Sequence, residues 1–236
     1  MRLDKLIETE WKTSRKQMKR LFLMGKVRVD GKIVYQENKN VDSLIHQIEV
    51  NGQRLKTTDT YYLLNKPQGV VTANRDKLTT VFDLLAPEDQ RGDLAAVGRL
   101  DRDTEGLLLL TSNGQLGYDL LQPKKKVDKV YEAKINAEVT INDVQAFAQG
   151  IIFHGGEQCQ PAKLEILTST PTESTVRLTL REGKFHQVKK MFLATGKKVI
   201  FLKRVAMGPL QLGSLSTGSY RALTQAELLS LKPYFR

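Results

Sequence analysis

Val97-Gly98-Arg99-Leu100-Asp101-Arg102-Asp103-Thr104-Glu105-Gly106 runs directly into Leu107-Leu108-Leu109-Leu110-Thr111. The leucine run is of the buried-strand type, and Asn113-Gly114 ends it. Five ionisable residues stand immediately before it. Charges beside a core strand are costly unless they pair with one another or act on something. By residue type alone the segment is ambiguous, and a Gly-Arg-x-Asp loop can be no more than an ion pair.

Working outward, the neighbouring segments alternate in the strand period. Tyr61 to Leu64 reads as a strand broken by Lys66-Pro67-Gln68-Gly69, and Val81 to Leu85 as a helical turn or two. Val130 to Ile135, Ala162 to Leu167 and Thr175 to Leu180 read as further strands. Thr140 with Asp143 makes a capping box for a helix ending at Gly150, and Thr224 with Glu227 caps a last helix. A helix from about His186 stops at Gly196, and Val199 to Leu202 returns as a strand. Strands outnumber helices and lie in adjacent runs, which predicts an α+β fold on a largely antiparallel mixed sheet.

The first 58 residues read differently. Leu3, Leu6 and Ile7 fit a short helix, and Ser14 can cap a second that turns Leu21, Phe22 and Met24 inward and stops at Gly25. Lys26-Val27-Arg28-Val29 alternates, Asp30-Gly31 and Asn51-Gly52 are hairpin turns, and Ile33-Val34 returns. Between Lys12 and Arg28 there are seven Lys or Arg and no acid: Lys12, Arg15, Lys16, Lys19, Arg20, Lys26 and Arg28. The reading is two units, 1–58 and 59–236, the first a compact basic module.

Net charge points the same way. The 236-residue chain carries +11 at pH 7, which suits a polyanionic partner, either nucleic acid or an anionic membrane surface. Cys159 is single, and His46, His154 and His186 lie far apart, so neither an internal disulfide nor a structural zinc site is expected. No apolar run has membrane-spanning length, and Met1-Arg2-Leu3-Asp4-Lys5 lacks a signal-peptide core; a cytoplasmic protein is expected.

Two more charged clusters interrupt apolar runs. One is Arg181-Glu182-Gly183-Lys184-Phe185-His186-Gln187-Val188-Lys189-Lys190-Met191-Phe192, in which Phe185, Val188, Met191 and Phe192 have helical spacing. His186 could cap that helix. The other is Lys124-Lys125-Lys126 before Lys129-Val130-Tyr131, a phosphate contact or a solvated charge run. No phosphate loop, dinucleotide fingerprint or serine-hydrolase elbow occurs.

Four segments in order carry a resemblance. Asn65-Lys66-Pro67-Gln68-Gly69, Gly98-Arg99-Leu100-Asp101 with Asp103-Thr104-Glu105-Gly106-Leu107, Glu182 to Met191, and Leu202-Lys203-Arg204-Val205-Ala206-Met207-Gly208 together resemble the motifs of ribosomal-RNA pseudouridine synthases. The His186-Gln187 pair is similar to the small-subunit (RsuA-type) branch. Arg2-Leu3-Asp4-Lys5, Ser14-Arg15, Gly25 to Val29 and Asp30-Gly31 resemble the S-four-like RNA-binding module, which grips phosphates and RNA shape.

The resemblance implies that a uridine of small-subunit (16S) ribosomal RNA is isomerised to pseudouridine without a cofactor. The RNA partner could be a small-subunit assembly intermediate. It makes Asp101 the catalytic carboxylate, as nucleophile or as base, and Lys189 its counter-charge. Lysine there lacks the bidentate fork of the arginine some relatives carry. Tyr131 is expected to stack on uracil, Leu202 to wall the base pocket, and Arg99 to fill the vacated space in the stack or hold the flipped nucleotide. Lys124, Lys125 and Lys126 join the seven cations of the first module as RNA contacts. If the Asp101–Lys189 pair is buried, removing either partner should cost about 3–5 kcal/mol. Two rivals remain: the same chemistry on large-subunit (23S) RNA, and a non-catalytic RNA-binding assembly factor.

Overall fold

The computed structural model describes residues 1–235. Helices α1 (Leu3–Trp11) and α2 (Arg15–Leu23) open the chain. The Ser14 hydroxyl accepts from the Gln17 backbone N–H while the Gln17 side chain reaches back to the Ser14 N–H, closing a capping box on α2. Strands β1 (Val27–Val29), β2 (Lys32–Ile33), β3 (Ile48–Val50) and β4 (Gln53–Arg54) form a sheet in the order β2-β1-β3-β4. Leu3, Leu6, Ile7, Met18, Phe22, Val27 and Val50 pack into a core beneath it. Met18 fills the inward position expected of Met24, which is 57 % exposed. The helix has ended by then, so Met24 no longer follows the buried stripe.

The remaining strands are β5 (Tyr61–Lys66), β6 (Ala95–Ala96), β7 (Glu105–Thr111), β8 (Lys129–Ile135), β9 (Lys163–Ser169), β10 (Ser174–Leu180), β11 (Val199–Met207), β12 (Leu210–Gln211) and β13 (Tyr220–Ala222). They form one sheet in the order β13-β5-β7-β11-β8-β10-β9, with β6 on β7 and β12 on β11. Among these strands only the β7–β11 pairing is parallel. Helices α3 (Gly114–Leu121), α4 (Ile141–Gln149), α5 (Gln187–Ala194) and α6 (Gln225–Ser230) complete the chain.

The four leucines explain the layering. Leu108 and Leu110 feed one core with Leu64, Val176, Phe147 and Phe192, while Leu107 and Leu109 feed another with Leu63, Leu116, Leu231 and Phe235. A strand covered on both faces needs no alternation. Gly106 makes the parallel pairing possible: at φ +108°, a Cβ there would stand 2.2 Å from the Arg204 carbonyl oxygen. On the reverse side, the register aligns Glu165, Arg177, Glu132, Lys203 and Glu105 in one row across five strands.

Two readings need correction. Val81 to Leu85 is a set of turns held by the Asp83 carboxylate on the Thr80 N–H and hydroxyl, not a helix. Asn113-Gly114 does end β7, but the Asn113 side chain then accepts from the Leu116 N–H and starts α3, which the sequence reading lacks. The first 58 residues dock on the large sheet through a Tyr61–Asp42 hydrogen bond, a Lys232–Asp30 ion pair at 2.8 Å and His46 set edge-on to Phe235. Among the described residues no helix is long and apolar enough to cross a membrane.

Candidate active site

Asp101 stands in the loop between β6 and β7, flanked by two buried anchors. Leu100 is in the core, with its N–H and carbonyl both bonded to the Thr72 hydroxyl, and the Thr104 N–H donates to the Asp101 carbonyl at 3.0 Å. Beneath the loop lies Lys66, fully buried at the end of β5. Its ammonium donates to the carbonyls of Thr104 and Pro67, both at 2.9 Å, and reaches Arg102 at 3.4 Å. Burial pushes Lys66 down to about 8, against the opposing pull of Asp103, Asp101 and Glu105. The backbone of Gly69 is tied to Arg102 in the same clasp.

Opposite stands the start of α5. His186 takes a left-handed conformation at φ 53° and supplies no side-chain cap. The cap role considered for it is therefore not the one it has: its Nε2 lies 3.5 Å from Asp101 Oδ1. Lys189 follows on the first turn, with Nζ 3.3 Å from Asp101 Oδ2 and 2.5 Å from Asp103 Oδ1. Burial opposes ionisation of Asp103, yet its hydrogen bond to Lys189 holds the carboxyl below its ordinary range. Gln187 fixes the turn, its amide donating to Glu182 and its oxygen accepting from the Lys184 N–H.

The expected buried pair is half-exposed: the Asp101 side chain is 29 % accessible and Lys189 26 %. Lys189 is also shared between two acids. The helix opens toward a cleft here, so the pair remains wetted.

That cleft, of about 1060 Å³, is lined by Arg99, Asp101, Tyr131, His186 and Lys189, and a cavity of about 80 Å³ that shares these residues is also lined by Leu202. Tyr131 and Leu202 are buried on adjacent strands β8 and β11. The structure thus gathers all five of the residues expected at the centre. Lys124, Lys125 and Lys126 lie in the turn after α3, and the seven cations from Lys12 to Arg28 lie on the first module, outside the cleft lining. Phe185 departs from the apolar row expected of it: it is 72 % exposed and stacks on His186. Lys66 was quoted in a motif but given no role. Its partners are carbonyls of a distant loop, which no spacing reveals.

Residues 60–194 match the family described as RNA pseudouridylate synthase. The chain belongs to that family. An RNA pseudouridine synthase of Bacillus subtilis is 42 % identical over 97 % of each chain. The ribosomal small subunit pseudouridine synthase A of Vibrio cholerae is 36 % identical, covering 98 % of this chain and 99 % of the relative. The ribosomal large subunit pseudouridine synthase B of Bacillus subtilis is 37 % identical, covering 98 % and 95 %. A crystal structure of a pseudouridylate synthase superposes with a TM-score of 0.69 at 37 % identity, covering 98 % and 99 %. The protein is a pseudouridine synthase, an isomerase.

Proposed function

We propose that this pseudouridine synthase acts on ribosomal RNA, isomerising one uridine of the small-subunit (16S) RNA, with Asp101 as its catalytic carboxylate. The observation that carries the reading is a carboxylate between two basic side chains, Lys189 at 3.3 Å and His186 at 3.5 Å, at a cleft walled by Tyr131 and Leu202. Isomerisation breaks the bond from C1′ to uracil N1 and makes one from C1′ to C5, while the C5 proton leaves and N1 gains one. Nothing is oxidised or imported. An ionised Asp101 serves either as nucleophile at the sugar or as base toward a sugar proton. Tyr131 offers a ring face to the flipped uracil, Leu202 an apolar wall, and Arg99 a cation at the rim.

The module before residue 58 is proposed as an S-four-like RNA grip whose exposed Arg15, Lys16, Lys19 and Arg20 share one side of α2. Ribosomal RNA in the cytoplasm, free or within an assembling subunit, is the corresponding partner. A second reading has its own support: a relative of nearly equal identity is named for the large subunit.

Asp101→Asn tests the mechanism. The variant is expected to lose isomerisation by about 10³-fold or more while keeping RNA affinity within a few-fold, because the carboxylate is an acid–base or covalent participant. Pseudouridine is read in transcripts of both subunits' RNA. Substantial turnover by the purified variant removes Asp101 from the chemistry, and turnover on large-subunit RNA alone selects the second reading.

A further inference from the structure

On strand β8 the alternate residues Lys129, Tyr131, Ala133 and Ile135 all face inward, and Arg204 lies opposite Tyr131 on β11. Two cations therefore sit on a face that is otherwise apolar. Arg204 is 2 % exposed and Lys129 7 %. Among the described residues neither forms an ion pair. Arg204 Nε donates to the Leu107 carbonyl at 2.7 Å, but its Nη2 is buried with no partner, and Lys129 reaches only the Val127 carbonyl at 3.3 Å.

We propose that Lys129 and Arg204 form a phosphate subsite on the floor of the cleft, which takes one backbone phosphate of the RNA strand carrying the target uridine. Both residues line the same cleft as Asp101. A buried guanidinium without an anion is an unfavourable burial, and two cations side by side compound it. Burial first, and then Arg204, depress the Lys129 ammonium against the opposing pull of Asp128, in keeping with two cations crowded in one place. An anion supplied from outside would satisfy both. Gly98 lines the same cleft beside them: a Cβ there would stand 3.2 Å from the Leu121 side chain and 4.0 Å, an ordinary contact, from Arg204 Nη1. Arg204 also neighbours Tyr131 across the strands, so a phosphate held there would fix the backbone beside the base proposed to stack on Tyr131. Phosphate contacts set register while the base pocket chooses the nucleotide.

The subsite rests on the ribosomal-RNA reading, and one experiment separates the two. Wild-type isomerisation of small- and large-subunit RNA transcripts tests the reading; absence of product on both overturns it and the subsite with it. On the transcript that is modified, binding is titrated against salt in an Asp101→Asn background, with and without Arg204→Met or Lys129→Met. Loss of a phosphate contact should lower the slope of log affinity against log salt by about 0.7–0.9 and weaken binding about tenfold or more. Arg204→Met should melt at or near the parent's temperature, since relief of a buried charge that no anion neutralises offsets the lost bond to the Leu107 carbonyl. Unchanged slopes in both variants overturn the subsite. So does weaker binding by Arg204→Met at an unchanged slope with a lowered melting temperature, which makes Arg204 structural; Lys129→Met, which leaves the Arg204–Leu107 bond in place, must then also keep its slope.

Discussion

Lys189 serves two acids at once, and its closer partner is not the one proposed as catalytic. Asp103 holds the ammonium at 2.5 Å and Asp101 at 3.3 Å. Because the Asp101 pair is half-exposed, Lys189→Met should cost at most about 1 kcal/mol of stability, while catalysis falls sharply as Asp101 loses its nearest cation. Urea unfolding beside single-turnover rates checks both halves; a loss of about 3 kcal/mol would restore the buried-pair picture. Asp103→Asn should, for the same reason, also change activity, because freeing Lys189 toward Asp101 alters the charge balance of the site. Lys66 gives a prediction with a pH signature. Its folded value, about 8, lies below its ordinary 10.5. A base depressed in this way costs stability wherever it is charged, fully below pH 8, and the cost is relieved as pH rises toward 10.5. Wild-type stability relative to Lys66→Met should therefore climb across that window by up to about 3 kcal/mol. Parallel curves for the two proteins would sink the assignment. The charged run beside four leucines marked the segment of Asp101, but the roles expected of Asp101 and Lys189 came from the resemblance of their segments to the synthase motifs. Lys66 was not, because its partners are backbone carbonyls brought in by folding.

Strand alternation made most elements legible, yet what lies across a strand is decided by register, which no single segment reveals. The row Glu165–Arg177–Glu132–Lys203–Glu105 exists only because β9, β10, β8, β11 and β7 align as they do. Arg177 and Glu132 meet at 2.8 Å, Lys203 and Glu105 at 3.8 Å. A one-residue slip would send each charge to the opposite face, so the row penalises misalignment as well as stabilising the correct pairing. Glu132→Lys puts three cations side by side and should lower stability by about 0.5–2 kcal/mol, from two lost and reversed cross-strand pairs. The loss should shrink as salt rises, since these side chains are half-exposed. Denaturant midpoints at low and high salt measure it, and a loss independent of salt would point to packing instead. Helix α3 escaped the sequence reading for a related reason. Asn113-Gly114 is a turn signal, and here the turn's asparagine doubles as a helix cap.

At the scale of the molecule, the two-unit reading meets an interface that the sequence did not announce. Asp42 is 1 % exposed and accepts from the buried Tyr61 hydroxyl, whose ionisation burial and Asp42 both suppress. Gln225 bonds the Leu44 carbonyl, Lys232 pairs with Asp30, and Ile45 lies in the core of the large sheet. Each contact joins residues far apart in the chain, so composition and spacing are silent about it. The proposed boundary near residue 58 thus falls where the two parts pack together, and cutting there should have two effects. Removing residues 1–58 takes away the seven cations from Lys12 to Arg28 and uncovers Tyr61 and Phe235. The truncated protein should melt lower and bind RNA with a smaller salt slope. If three of the seven cations touch phosphates, the slope falls by about 2–3. To separate charge from docking, Arg15, Lys16, Lys19 and Arg20 can be changed together to alanine in the full chain, all four being exposed on α2. That variant should keep the wild-type melting temperature and reproduce most of the change in slope. If only the truncation weakens RNA binding, the module supports the catalytic part by contact rather than by gripping the backbone.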